Sequence, residues 1–100
     1  MYRLVITIHH FENENSHTII RGLLRFSQLF REQFGDFKQL NSSEIKRNIF
    51  TEERTELHDV PLVEIINFLY KFDFNLVSHQ YCFTTKQNYL FLSKTYSNQL

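Results

Sequence analysis

Residues 2–9 alternate, with Tyr2, Leu4, Ile6 and Ile8 on one face and Arg3, Val5, Thr7 and His9 on the other. That two-residue period, with its β-branched content, predicts a strand with one strongly apolar face. A polar, turn-like run follows at residues 12–15. Ser16 then offers an N-cap for a helix whose apolar positions are Ile19, Ile20, Leu23, Leu24, Phe26, Leu29, Phe30 and Phe34. Spacings of three and four place these on one stripe, with Arg21, Arg25 and Glu32 on the polar side and Gly35 as the stop. Gly22 inside such a helix costs about 1 kcal/mol relative to Ala, a cost that a close packing contact would explain.

Residues 36–53 carry the weakest pattern, with a turn-prone Asn41-Ser42-Ser43-Glu44 and a short strand within 46–51. Residues 54–60 read as a mostly polar strand near a sheet edge, where charged side chains discourage unwanted pairing. Asp59 is expected to cap a second helix, with Pro61 in its first turn. Leu62, Ile65, Ile66, Leu69 and Phe72 form its apolar face, and Lys71-Phe72-Asp73 closes it.

Residues 74–83 and 88–96 form a hairpin around Thr84-Thr85-Lys86-Gln87. Pairing Phe83 with Tyr89 gathers Val77, His79, Tyr81, Phe83, Tyr89 and Phe91 on one face. Leu76, Cys82, Leu90, Leu92 and Tyr96 fall on the other, with Ser78, Gln80 and Lys94. Only one of these faces can meet the helices, so the other is left partly apolar. The resulting order, β-α-β-β-α-β-β, is an α+β, two-layer plan: an antiparallel sheet with two helices on one face, in a ferredoxin-like split β-α-β arrangement extended by a terminal strand.

One hundred residues make a single domain. With 42% hydrophobic and 16% aromatic residues a core needs no staple, yet a chain this short leaves apolar surface outside, which favours self-association or a partner. Its abrupt start and end in strand-like sequence suggest a domain excised from a longer polypeptide. Eleven basic residues balance eleven acidic ones, so the basic footprint of a nucleic-acid binder is missing. Cys82 is the only cysteine, and no apolar run approaches the roughly 20 residues of a membrane span. Nothing demands an oxidising compartment, and the cytoplasm is the default location.

The residue patterns hold no catalytic or metal-binding set. His9 and His10 point to opposite strand faces and cannot share a metal, while His17, His58 and His79 lie on other elements without structural-zinc spacing. His79 and Cys82 also face opposite ways, so Cys82 reads as a buried structural cysteine. The carboxylates Glu12 with Glu14, and Glu52 with Glu53, sit in polar, turn-rich sequence where charges are solvated. Two glycines cannot make a phosphate-cradling loop. No catalysis and no cofactor are therefore expected. An aromatic hairpin face could stack single-stranded bases, but Lys94 points away from Tyr89 and Phe91 and the basic-Gly-aromatic signature is absent.

The strand at 4–9, a helix ending in Leu29-Phe30-Arg31-Glu32-Gln33-Phe34-Gly35-Asp36, and the later run Phe72-Asp73-Phe74-Asn75-Leu76-Val77-Ser78 resemble the C-terminal domains of the potassium-channel-tetramerisation-domain family. The chain departs at Asp73, where that family often has Gly. Those domains are similar in fold to the GTP cyclohydrolase I feedback regulatory protein, a pentameric ring. The resemblance implies a ring-forming module, separated from a BTB domain, that recruits partners for cullin ubiquitin ligases or for signalling complexes.

The expected function is a non-catalytic protein-interaction and oligomerisation module whose partners are its own copies and another protein. Interface candidates are Tyr81, Phe83, Tyr89, Phe91, Arg21 and Arg25, with loops 12–16 and 36–53 reading the partner. A small-ligand regulatory domain of the feedback-regulator or amino-acid-binding (ACT-like) type is the first alternative, and single-stranded RNA binding the second.

Overall fold

The computed structural model describes residues 2–12, 17–22, 27–34, 48–51 and 53–96. Along them lie β1 (Tyr2–Phe11), β2 (His17–Arg21), α1 (Ser27–Phe34), β3 (Ile49–Phe50), β4 (Arg54–His58), α2 (Leu62–Tyr70), β5 (Asn75–Cys82) and β6 (Gln87–Tyr96). The strands form one sheet in the order β3-β4-β2-β1-β6-β5. Every neighbouring pair is antiparallel, so the sheet is three hairpins laid side by side, and the helices connect one hairpin to the next.

The α+β class and the plan of two helices on an antiparallel sheet agree with the sequence reading, but the order of elements gains a strand. Residues 17–21, expected as the first turns of a long helix, are β2. Thr18, Ile19 and Ile20 are consecutive β-branched residues, stiff at χ1 and suited to a pleated surface. The strand is paired on both sides, Ile20 with Ile8 of β1 and with Thr55 of β4. Its alternation buries Thr18 and Ile20. Among the described residues, α1 begins at Ser27. Ser16, Leu23, Leu24, Arg25, Phe26 and Gly35 lie outside the described residues.

Gly22 ends β2 and is not a helical residue. Its φ is +93°, and a Cβ there would be driven into the carbonyl oxygen of Val5. The absence of a side chain lets the chain turn away from the sheet immediately against β1.

One face of the sheet contributes Ile6, Ile8, Ile20, Leu57, Leu90 and Leu92 to the core, and the helices cover it with Phe30, Phe34, Ile65, Phe68 and Leu69. Phe68 belongs to this core although the expected stripe on α2 omitted it. Its ring meets Phe30, Phe34 and Phe72 edge-on at centroid distances of 4.8, 5.4 and 5.1 Å, in the T-shaped geometry that aromatic quadrupoles favour. Asn48 ties α1 to the sheet: its Nδ2 donates to the Phe34 carbonyl at 3.3 Å, and its Oδ1 accepts from the His58 amide at 2.8 Å. One terminal carbonyl of the helix is thereby satisfied.

Asp59 does not cap α2. It is in the left-handed region (φ 60°), and Pro61 precedes the helix without a side-chain cap bond. The Pro61 carbonyl instead accepts from Glu64 and Ile65. At the other end Asp73 is left-handed (φ 66°). The Asp73 amide donates to the Tyr70 carbonyl and the Phe74 amide to the Leu69 carbonyl. This is a Schellman closure, with apolar contact between buried residues following it. Glycine is the residue that such a position favours.

The last hairpin closes one step earlier than expected. Cys82 pairs with Gln87 and Gln80 with Tyr89, leaving Phe83–Lys86 as a four-residue turn with Lys86 left-handed (φ 53°). The expected pairing of Phe83 with Tyr89 is absent. A shift of register between Leu76 and Ser78 adds a bulge at Val77. Beyond it, Ser78, Gln80 and Cys82 share a face with Tyr89 and Phe91, while His79 and Tyr81 share the other with Leu90 and Asn88. None of the helices is long and apolar enough to cross a membrane, among the described residues.

These two backbone positions make opposite tests. Asp73→Gly is expected to stabilise by about 0.5–1 kcal/mol, a rise of a few degrees in melting temperature, by relieving the left-handed strain. Gly22→Ala is expected to destabilise by at least about 2 kcal/mol, because strain and a main-chain clash add. Thermal melts of both variants check this.

Candidate functional site

Strand alternation assigns the second sheet face. It presents Val5, Thr7, His9 and Phe11 of β1, His17, Ile19 and Arg21 of β2, Arg54, Glu56 and His58 of β4, and Tyr89 and Phe91 of β6. No described helix covers it. The rings on it bury one another in a row that crosses four strands. Tyr89 stacks on His9 at 4.3 Å, His9 touches Phe11 at 4.1 Å, Phe11 stacks on His17 at 5.5 Å, and His17 stacks on His58 at 4.5 Å. Three of these contacts are direct cross-strand pairs, the unit of sheet stabilisation.

Polar atoms fix both ends of the row. Gln87 Oε1 accepts from His9 Nε2 at 2.8 Å and from the Tyr89 hydroxyl at 2.7 Å. At the other end Glu56, only 15% exposed at its side chain, faces His17 at 3.5 Å and Arg54 at 3.4 Å. Beside the row lies an open groove of 330 Å³ formed by Thr7, His9, Arg21, Gln80, Tyr89 and Phe91 among others. Thr7 is short between Arg21 and Phe91, its partners on either side, and this difference in side-chain length makes the hollow.

Of the interface candidates, Tyr89, Phe91 and Arg21 come together around this groove. Tyr81 and Phe83 do not join them. They meet each other edge-on at 4.8 Å at the tip of the last hairpin, where Phe83 is 84% exposed. The register shift that displaced Phe83 into the turn put Tyr81 on the opposite face from Tyr89. Arg25 lies outside the described residues. His17, His58 and Phe11 join this surface but were not among the interface candidates. The signal for His17 was the β-branched run after it, which marks a strand and fixes its direction.

A separate polar cluster ties the first hairpin to the last, on the helix-bearing side. Glu12 accepts from Asn88 Nδ2 at 2.9 Å and from the Tyr81 hydroxyl at 3.1 Å, and Asn88 Oδ1 accepts from His79 Nε2 at 2.7 Å. Hydrogen bonds from Asn88 and Tyr81 hold the Glu12 carboxyl below its usual range. Partial desolvation, and donation to Glu12, push the Tyr81 phenol up. Glu12 is thus bonded rather than simply solvated. Next to it His10 is buried and hydrogen-bonded to Thr18 Oγ1 at 2.7 Å. Burial lowers its pKa from 6.5, partly opposed by Glu12 and reinforced by His17.

Cys82 is half-buried at the turn, not a core residue, and hydrogen bonds from Thr85 and Thr84 lower its thiol. His79 and Cys82 face opposite sides of β5, as their parity requires. No group of three or more His, Cys, Asp or Glu able to hold a metal occurs among the described residues.

Three comparisons with known proteins bear on this surface: no family model, no curated protein and no solved structure matches the chain.

The buried histidine generates a pH test. The folded pKa of His10 is below its unfolded one, so the unfolded chain binds more protons and stability rises with pH. The stability held by the neutral ring is complete above the unfolded value and is lost as pH falls through the depressed folded value. His10→Asn is expected to flatten the fall in melting temperature between about pH 7.5 and about pH 5.5. An equally steep fall in the variant would assign the effect to other groups.

Proposed function

We propose that this chain is a non-catalytic protein-interaction and self-assembly module. The observation that carries the reading is the sheet face that no described helix covers, where a row of five rings spans four strands beside an open groove. Interfaces concentrate aromatic residues, Met and Arg relative to the rest of a surface, and Tyr89, Phe91 and Arg21 provide that chemistry together. Phe83 adds a nearly fully exposed ring at a hairpin tip, a position from which it stabilises little of its own fold. The polar groups that meet elsewhere, Glu12 with Asn88 and Tyr81, satisfy each other and serve as a structural tie.

The adaptor setting, recruitment for a cullin ubiquitin ligase or a signalling complex, and the pentameric ring rest on the resemblance in residues 4–9, 29–36 and 72–78. A small-ligand regulatory role is the second reading. It is favoured by the groove, in which Arg21 has no acidic partner among the described residues, so an anionic ligand with a planar part would fit there. A thermal-shift screen of amino acids and pterins separates the two, since a saturable rise in melting temperature selects the ligand reading.

Light scattering tests the first reading directly. At tens of micromolar the chain is expected to have the mass of an oligomer. A strict monomer at that concentration would remove self-assembly from the function.

A further inference from the structure

We infer that two copies join edge to edge through β5, continuing the sheet from one copy into the next; this rests on the self-assembly reading above and names its surface. The sheet has two edges. One is β3, which has two residues among those described, a short edge. The other is β5, with eight residues, almost all exposed on both faces. An edge strand carries a row of backbone donors and acceptors that only another strand can satisfy in register.

Proteins protect such edges with Lys, Pro, charge or shortness. In Asn75-Leu76-Val77-Ser78-His79-Gln80-Tyr81-Cys82 there is no Lys, Arg, Asp, Glu or Pro. The bulge at Val77 is the single protective device, and it spoils only the first part of the strand. Ser78–Cys82 remain as a regular uncharged run. Leu76, Val77 and Tyr81 are exposed apolar side chains alongside it, at 39%, 51% and 37%.

The occupant that fits is the same strand of a second copy. An antiparallel β5–β5 pair is isologous, placing the same patch on both sides of a two-fold axis, and it continues a sheet in which every pair is already antiparallel. A strand bearing a charge near the axis would face its own charge across the pair and be repelled. β5 has none to oppose, and the formal net charge of the whole chain is zero. The product is a continuous twelve-stranded sheet, twice six. Pairing of this kind closes at two copies and so differs from a five-fold ring. It leaves the ring row free for another protein and places the groove, lined in part by Ser78 and Gln80 of β5, beside the seam.

Sedimentation or light scattering across a concentration series, on the parent chain and on Val77→Lys and His79→Lys, whose positions on β5 do not line the groove, tests this. Both substitutions are at exposed positions and are expected to keep the parent's circular dichroism. A dimer mass for the parent, weakened at least tenfold in both variants, is the expected result. Hydrogen exchange of the parent provides a readout without substitution: amides within residues 78–82 should be more protected in concentrated than in dilute samples. A parent oligomer unaffected by either lysine, with β5 amides indifferent to concentration, would overturn the edge pairing and leave self-assembly standing. A parent that stays monomeric at tens of micromolar would overturn both.

Discussion

Four phenylalanine rings, Phe30 and Phe34 from α1 and Phe68 and Phe72 from α2 and its closing turn, hold the helical layer together and onto the sheet. Both helices depend on it. Their described lengths, eight and nine residues, fall below the twelve or so that an isolated helix needs to be even marginally stable in water. Their order comes from burying these rings over Ile6, Ile20, Leu57 and Leu92. The two short helices therefore stay on one face, and the opposite face has no described cover.

The surface chemistry follows from that one-sidedness. On a sheet face with no helix among the described residues, the ring row shields apolar atoms by lateral contact through direct pairs across β6, β1, β2 and β4. The hydrogen bonds at Gln87 pin one end and the Arg54–Glu56 ion pair flanks the other, so the row is an ordered surface rather than a set of independent side chains. Polar order on the other side has a different purpose. Glu12, Asn88, Tyr81 and His79 fasten the first hairpin to the last where the apolar core ends, and His10 with Thr18 fills the buried position next to them.

Much of this was legible from residue patterns. The alternation in residues 2–9, the strand at 54–58, the amphipathic stripe of α2 and the final hairpin were readable because each has a period matched to its structure. Opposite faces for His9 and His10, and for His79 and Cys82, followed from parity alone. The long first helix was misread because Ile19, Ile20, Leu23 and Leu24 satisfy a helical stripe as well as a strand does locally. What decided it was pairing: β2 is flanked by β1 and β4, partners close in space that no local period reveals. Gly22 could have given it away, since a glycine between a β-branched run and a helix is better used as a left-handed exit than tolerated inside a turn.

The candidate surface shows the division most clearly. Alternation in β6 by itself placed Tyr89 and Phe91 together, since neighbours two apart in a strand always share a face. Whether Tyr81 joined them depended on the hairpin register, and a turn beginning at Phe83, with Cys82 paired to Gln87, moved it to the other side. A change of one residue in register reverses every side chain, so a small error in loop length becomes a large error in surface. The sequence by itself determined the α+β class, the alternation within the strands it identified and the lack of charge on β5. Only the tertiary structure decided which strands are neighbours, which face the helices cover and which edge is left open, because those depend on contacts between residues far apart in the chain.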